Sequence, residues 1–151
     1  HHLKFPVADL DRSLTFYTRA LNARRIETWD HRHADGTLYA VILDVPGLGP
    51  YLELRLDPIQ AARQAGFDPV TLAVRDQSAL DGWIAHLDAA GIAHSPILVA
   101  IQAWLVVFAD PDGRAYASTR RRPTDPNSRP TRPRRGWPAT SAKEVPCPTP
   151  Y

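Results

Sequence analysis

Two stretches of alternating sequence carry side chains that could do chemistry. His2 and Lys4 alternate with apolar residues at the start of the chain, and Tyr51, Glu53 and Arg55 alternate with leucines further on. This two-residue period is typical of a strand with one apolar and one polar face. An imidazole and a carboxylate can bind a metal ion or transfer a proton. The polar faces of these two strands are therefore the first candidate for a functional site.

Other catalytic chemistries leave no recognisable pattern. The sequence has no glycine-rich phosphate loop and no Gly-x-Ser-x-Gly elbow. Cys147 is the lone cysteine, which excludes an intramolecular disulfide, and no ordered base can be argued near it. His86 and His94 are isolated, and His86 falls on a predicted helix, where a solvated or capping role is the favoured interpretation.

The polar strands belong to an ordered series of elements. Asp9 is predicted as an N-cap, and the apolar positions that follow recur at helical spacing, which predicts a helix from about Leu10 to Leu21. The chain then reads as extended over 25–32, turns at 33–36 and returns over 37–45, and a strand over 51–56 completes the unit. Residues 57–67 form a connector with a short helical turn around 59–64.

The same order repeats in the second half of the chain. Val70, Leu72 and Val74 alternate with other residues, Asp76 is a second predicted N-cap, and the following helix is predicted to end at Gly91. Strands are predicted over 92–97, 102–109 and 114–119, the last two joined by an Asp-Pro-Asp-Gly turn. The repeat spans about 65 residues, which indicates a duplicated supersecondary unit.

Charge divides the chain into an acidic body and a basic tail. Residues 120–151 contain eight basic and two acidic residues, a net charge of +6. Residues 1–119 contain ten basic and fourteen acidic residues, a net charge of −4. Eight of the 15 prolines also fall in this tail, which we expect to be disordered or a non-native extension. A polybasic anchor and an arm that packs through Trp137 on a neighbouring subunit remain open alternatives.

Composition narrows the class of protein. The acidic body argues against nucleic-acid binding by the folded part, and the role of the tail stays undetermined. No apolar run approaches the roughly 20 residues of a membrane helix. The opening residues read as a strand and not as a signal peptide, so we expect a cytoplasmic protein.

These elements together resemble those of a known family. Two strand-helix-strand-strand-strand modules, the opening residues 2–9, the helix segment 12–17 and the Asp-Pro-Asp-Gly strand resemble the vicinal-oxygen-chelate superfamily of glyoxalases, bleomycin-resistance proteins and extradiol dioxygenases. The resemblance implies an α+β fold over 1–119, with tandem modules at about 1–57 and 68–119, followed by the tail at 120–151. It also implies helices on the convex side of each sheet, a ligand cleft on the other side and a homodimer.

The alternation then indicates which side chains pack and which face the cleft. The residues expected under the helices are Leu3, Phe5, Val7, Leu52, Leu54, Val70, Leu72, Val74 and Tyr116. The residues expected in the cleft are His2, Lys4, Tyr51, Glu53, Arg55, Pro69, Thr71, Ala73, Ala115, Ala117 and Thr119. Trp29 and Trp104 could be either stacking platforms or core residues.

The resemblance also implies where a metal would be held. Metal-using members place ligands at the positions of His2, Glu53, Pro69 and Ala117, and the last two have no side-chain donor. His2 and Glu53 are then polar cleft residues, and help from His31 or His33 is a weaker alternative. We therefore expect no cofactor, with a divalent Zn, Ni, Mn or Fe ion as the alternative.

Three functions follow as hypotheses. The first is a metal-independent binder of a drug-like or aromatic molecule, which uses Lys4, Tyr51, Arg55, Thr71, Trp104, Ala115 and Ala117. The second is a metal-dependent lyase, isomerase or dioxygenase in which His2 and Glu53 hold the ion and Glu53 also acts as a base. The third is a regulatory module whose tail contacts a partner. The sequence leaves open whether the protein is an enzyme.

Overall fold

The computed structural model describes residues 1–100 and 103–121, the last three by their backbone alone. The first module comprises β1 (His2–Val7), α1 (Leu10–Leu21), β2 (Arg24–Arg25), a 3-10 helix (Glu27–Trp29), β3 (His31–Arg32), β4 (Leu38–Asp44) and β5 (Tyr51–Leu56). After the connecting helix α2 (Pro58–Arg63), the second module comprises β6 (Val70–Ala73), α3 (Gln77–Ala89), β7 (Leu98–Val99), β8 (Ala103–Ala109) and β9 (Ala115–Arg121). The predicted α+β fold with two tandem modules is confirmed.

Each module builds one mixed sheet. The strand order is β1-β5-β4-β2 in the first, where β3 also pairs with β4, and β6-β9-β8-β7 in the second. The first strand of each module runs parallel to its last strand, which places Lys4 beside Glu53 and Thr71 beside Ala117. Residues that pair directly on neighbouring strands project from the same side, so each predicted row becomes part of one face of a sheet.

The two long helices begin where the sequence predicts. The carboxylates of Asp9 and Asp76 accept hydrogen bonds from the backbone N–H groups of Arg12, at 2.9 Å, and Ala79, at 2.8 Å. Such N-caps satisfy donors that the first helical turn leaves unpaired. Gly91 follows α3 with a φ of 66°, a left-handed conformation that glycine adopts without strain.

The predicted strand over 92–97 is wrong for most of its length. This segment makes a single bridge, between His94 and Phe108, and regular pairing begins only at β7. The Ser95 hydroxyl accepts the backbone N–H of Val107 at 2.9 Å, and Pro96 has no N–H to offer a ladder. Side-chain capture of a strand donor therefore replaces regular pairing here.

The extended segment predicted over 25–32 contains a helical turn. Arg25 donates from Nε to Oδ1 of Asp30 at 2.9 Å, and its Nη2 lies 2.5 Å from Oδ2. This bidentate pair spans the 3-10 turn, inside which the Trp29 N–H donates to the Ile26 carbonyl oxygen at 2.9 Å. The turn separates β2 from β3, and Trp29 at its end is 42% exposed.

Both modules share one hydrophobic core. The apolar rows predicted to pack under the helices all belong to it or pack against it. Phe5 of β1 and Tyr116 of β9 meet edge to face with centroids 6.3 Å apart, and Phe16 of α1 lies 6.4 Å from Phe108 of β8. His86 of α3 lies 2.9 Å from the Arg19 carbonyl oxygen near the end of α1, which agrees with the predicted capping role. The inner face of each sheet therefore points at the other module.

The opposite side of each sheet is left uncovered by this core. We call the side that carries His2, Lys4, Tyr51, Glu53 and Arg55 the first outer face, and the side that carries Thr71, Ala73, Ala115 and Ala117 the second outer face. Because the inner faces share one core, the two outer faces of a single chain point away from each other.

The tail is predicted to begin at residue 120, but residues 120 and 121 still belong to β9, and residues 122–151 lie outside the described residues. Within the described part, every helix is too short or too polar to traverse a bilayer.

Candidate functional site

Glu53, in the middle of β5, is the centre of the first outer face. Its side chain is 0% exposed. His2 Nε2 lies 2.9 Å and Lys4 Nζ 3.7 Å from its Oε2. Arg55 Nε and Nη2 each lie 2.8 Å from Oε1, and His31 Nδ1 lies 4.0 Å from the same atom. Four basic side chains thus surround one carboxylate.

The fold explains this arrangement. Parallel pairing places Lys4 beside Glu53, and Arg55 follows on the same side of β5 two residues later. Burial of an unpaired carboxylate costs several kcal/mol, so the surrounding cations stabilise it in place. The cations themselves reach solvent, because Lys4 is 54% and Arg55 is 42% exposed in its side chain. A molecule that approaches this face meets ammonium and guanidinium groups before it meets the carboxylate.

Aromatic rings border the charged cluster. Trp29 is 42% exposed and packs edge to face against Tyr51, with centroids 5.0 Å apart. On the other side, the Arg55 guanidinium carbon lies 5.5 Å from the Tyr39 ring centroid, a distance typical of a cation–π contact. His31 also packs near Tyr39, with centroids 5.8 Å apart. The first outer face therefore combines flat rings with positive charge.

The second outer face has a different chemistry. Thr71 and Ala73 are exposed, Ala115 is half-buried and Ala117 is buried. The neighbouring strand β8 contributes Val107 opposite Ala117. The described side chains of this surface are uncharged, and the small ones continue along the sheet into the aliphatic side chains of Leu105 and Leu98.

The structure places one predicted ligand residue elsewhere. Trp104 shares the side of β8 that carries Val106 and Phe108, and it packs against the shared core. It therefore lies on the inner face of the second sheet, away from Thr71. The whole of β8 is apolar, so alternation could not assign its two sides.

Two residues of the first outer face are less evident from the sequence. His31 was the weaker alternative, yet β3 pairs with β4 and brings its imidazole to Glu53. Tyr39 was not singled out, because it lies in the uninterrupted apolar run of β4. The irregular register between His31 and Arg32 orients these side chains, and no sequence motif indicates this irregularity.

The first outer face does not fit a dedicated metal site. His2 Nε2 and Glu53 Oε2 could share an ion at their 2.9 Å separation, and Oε2 accepts no well-aligned hydrogen bond. However, the Lys4 ammonium already lies 3.7 Å from that oxygen and would repel a dication. Pro69 and Ala117 lie in the other module and offer no donor. Nowhere in residues 1–100 and 103–121 do three or more His, Cys, Asp or Glu side chains form a group that could hold a metal ion.

A groove of about 340 Å³ lies on the helix side of the molecule. Arg12 and Phe16 of α1 line it together with Ile92 and Pro111. Arg12 is already paired with Asp112, with Nη2 and Oδ1 2.6 Å apart. Arg19, the other arginine of this lining, donates to the Ala90 carbonyl oxygen. Because both arginines already have partners, the charged outer face is the better candidate for a site.

A buried polar network joins the two modules. The Asp110 carboxylate accepts hydrogen bonds from Arg114 Nη1 at 2.5 Å and from the Tyr17 hydroxyl at 2.8 Å. The hydroxyls of Tyr17 and Tyr116 lie 2.6 Å apart, and Arg114 Nη2 donates to the Pro6 carbonyl oxygen at 2.6 Å. Burial raises the pKa of Tyr17 well above its usual range, with Tyr116 and Asp110 adding to the shift, and burial also raises the pKa of Tyr116. This network is part of the core and is closed to ligands.

Comparison with known proteins gives a consistent result. A family model described as Glyoxalase/Bleomycin resistance protein/Dioxygenase superfamily matches residues 1–116. A glyoxylase/bleomycin resistance protein/dioxygenase domain from Frankia sp. EAN1pec is 25% identical with a TM-score of 0.61, over 80% of this chain and 95% of that one. No curated protein matches the chain.

Two more distant structures share the fold. The antibiotic binding protein TnmS3 from Streptomyces sp. CB03234 is 19% identical with a TM-score of 0.62, over 80% of this chain and 93% of that one. The fosfomycin resistance protein FosX from Listeria monocytogenes is 15% identical with a TM-score of 0.58, over 80% and 90%.

Proposed function

The chain belongs to the glyoxalase/bleomycin resistance protein/dioxygenase superfamily, and from this membership we propose that it binds a small organic molecule without a metal. The observation that carries the proposal is the first outer face itself. There a half-exposed tryptophan and a tyrosine border a charged cluster in which Lys4 stands where a metal ion would have to approach Glu53. Flat rings beside a few oriented charges are typical of small-molecule sites.

We further propose that the binding unit is a homodimer. A cleft needs two walls, and the two outer faces of one chain point in different directions. In a dimer, the first outer face of one protomer would oppose the second outer face of its partner. The strands β1 and β6 end the hydrogen-bonded order of their sheets, so they offer free edges for such an association. The ligand would then lie between a cationic aromatic wall and a wall of small and aliphatic side chains.

A screen of aromatic compounds for thermal stabilisation tests the binding proposal. A ligand that binds the native state alone raises the midpoint of unfolding. Trp29→Ala should weaken the binding of the hits about twofold to tenfold, because an aromatic stacking contact is worth about 0.5–1.5 kcal/mol. Ile59→Ala is the matched control, since Ile59 is an exposed apolar residue on α2. Equal loss in both variants, or no hits, would contradict the proposal.

A metal-dependent lyase, isomerase or dioxygenase is the second candidate. It is favoured by one observation, the close approach of His2 Nε2 to a Glu53 oxygen that lacks a well-aligned donor. Two observations argue against this candidate: Pro69 and Ala117 have no side-chain donor, and the Lys4 ammonium would repel a metal ion. In our proposal Glu53 is a positioning residue, whose buried charge holds Lys4, Arg55 and His2 in place.

A further inference from the structure

We infer that the first outer face selects planar molecules that carry a negative charge. The inference rests on the proposed ligand-binding function and adds to it the chemical class of the ligand. It follows from the balance of charge on this face, from which charges reach solvent and from the position of the rings.

The charge balance favours an anion. Lys4 and Arg55 contribute two positive charges and Glu53 contributes one negative charge, so the cluster keeps a net charge of +1 with neutral histidines. Protonation of His2 or His31 would only add to this excess. A neutral or cationic ligand would leave it uncompensated.

Exposure decides which charges a ligand meets. The Glu53 side chain is 0% exposed, whereas those of Lys4, Arg55 and His31 are 54%, 42% and 38% exposed. Both of the closest Arg55 contacts go to Oε1, and Lys4 lies beyond hydrogen-bond distance of Oε2 at 3.7 Å. The Lys4 ammonium is therefore held near Glu53 but keeps its donors available for another acceptor.

The rings define the shape of the ligand. Trp29 and Tyr51 stand at one side of the charged cluster, and Tyr39 supports Arg55 at the other. A flat molecule that stacks on Trp29 would bring a carboxylate or another oxyanion toward Lys4. Stacking and a charge-assisted hydrogen bond would then act on the same molecule.

Three probes with one ring system separate charge from stacking. 1-Naphthoate is anionic, 1-naphthamide is neutral and 1-naphthylmethylammonium is cationic, and each is titrated into the full chain by calorimetry. We expect naphthoate to bind about tenfold more tightly than naphthamide and the ammonium compound to bind most weakly. Because Lys4 is half exposed, the preference should shrink at high salt.

Variants assign the preference to Lys4. Lys4→Met should abolish the tenfold preference of naphthoate over naphthamide, and Lys4→Arg should retain it. Arg75→Gln is the control, because Arg75 is a 90% exposed cation in the other module. Equal binding of naphthoate and naphthamide would overturn the inference and leave the proposed function standing. Failure of all three probes to bind would overturn both.

Discussion

The buried pair of Asp110 and Arg114 offers the sharpest test of how the two modules are held together. Both side chains are 1% exposed, and Arg114 also reaches Tyr17 and the Pro6 carbonyl oxygen of the first module. Asp110→Asn removes the negative charge with almost no change in shape, which leaves a buried guanidinium without a counter-ion. Loss of one partner of a buried pair costs about 3–5 kcal/mol, a large part of the stability of a small domain.

The measurement is urea unfolding followed by circular dichroism at neutral pH. The matched control is Asp44→Asn, because the Asp44 side chain is 44% exposed and pairs with Arg24, which is 80% exposed. This substitution should cost less than about 1 kcal/mol. A loss for Asp110→Asn that is no larger than that of the control would refute the reasoning.

A double variant separates the charge from the shape of the network. Asp110→Leu with Arg114→Met replaces the ion pair by apolar groups, and such a replacement is often neutral or stabilising. We expect the double variant to be more stable than either single variant, although Tyr17 loses its acceptor. A double variant whose loss equals the sum of the single losses would show that the charges do not interact as the geometry indicates.

Three further predictions concern alkaline stability, metal content and the dimer. Above about pH 10 the unfolded tyrosines ionise first, so each buried tyrosine with a raised pKa should lower stability by about 1.4 kcal/mol per pH unit. Tyr17→Phe should make that decline shallower in urea titrations, and an unchanged slope would contradict the assignment. Elemental analysis of protein purified without a tag or chelator should find no stoichiometric metal, and one ion per chain that is lost in His2→Ala would favour the metalloenzyme. When Trp29→Ala and Thr71→Trp chains are refolded together, about half of the dimers should be mixed, and one of the two sites in each mixed dimer has both faces unaltered. About a quarter of all sites should therefore bind ligand, and no recovery of binding would contradict the shared cleft.

Much of the fold could be predicted because strand parity is a local property. Alternation around Phe5 and Leu54 identified the inner face of the first sheet, since side chains on successive residues must point to opposite sides. The N-caps Asp9 and Asp76 were equally local, because a capping carboxylate serves a backbone donor three residues ahead.

The rest depended on contacts distant in sequence. Nothing near Arg114 indicates that its guanidinium crosses to the Pro6 carbonyl oxygen, 108 residues away, or that it is fully buried. His31 reached Glu53 only through the irregular register of β3 on β4. The face of the sheet on which Trp104 lies could not be predicted, because β8 is apolar on both faces. Tertiary packing fixes each of these, and periodicity carries no information about it.

A buried carboxylate pairs with an arginine both at Asp110 and at Glu53, but the two pairs have different consequences. At Asp110 the arginine and tyrosine partners lie inside the core, so the paired charges hold the modules together and are closed to solutes. At Glu53 the carboxylate is equally buried, but Lys4 and Arg55 are about half exposed. A charge can act on a ligand only where the ligand can reach it, and its effect grows where water is partly excluded. Exposure of the cations, more than burial of the acid, therefore separates the structural pair from the candidate site.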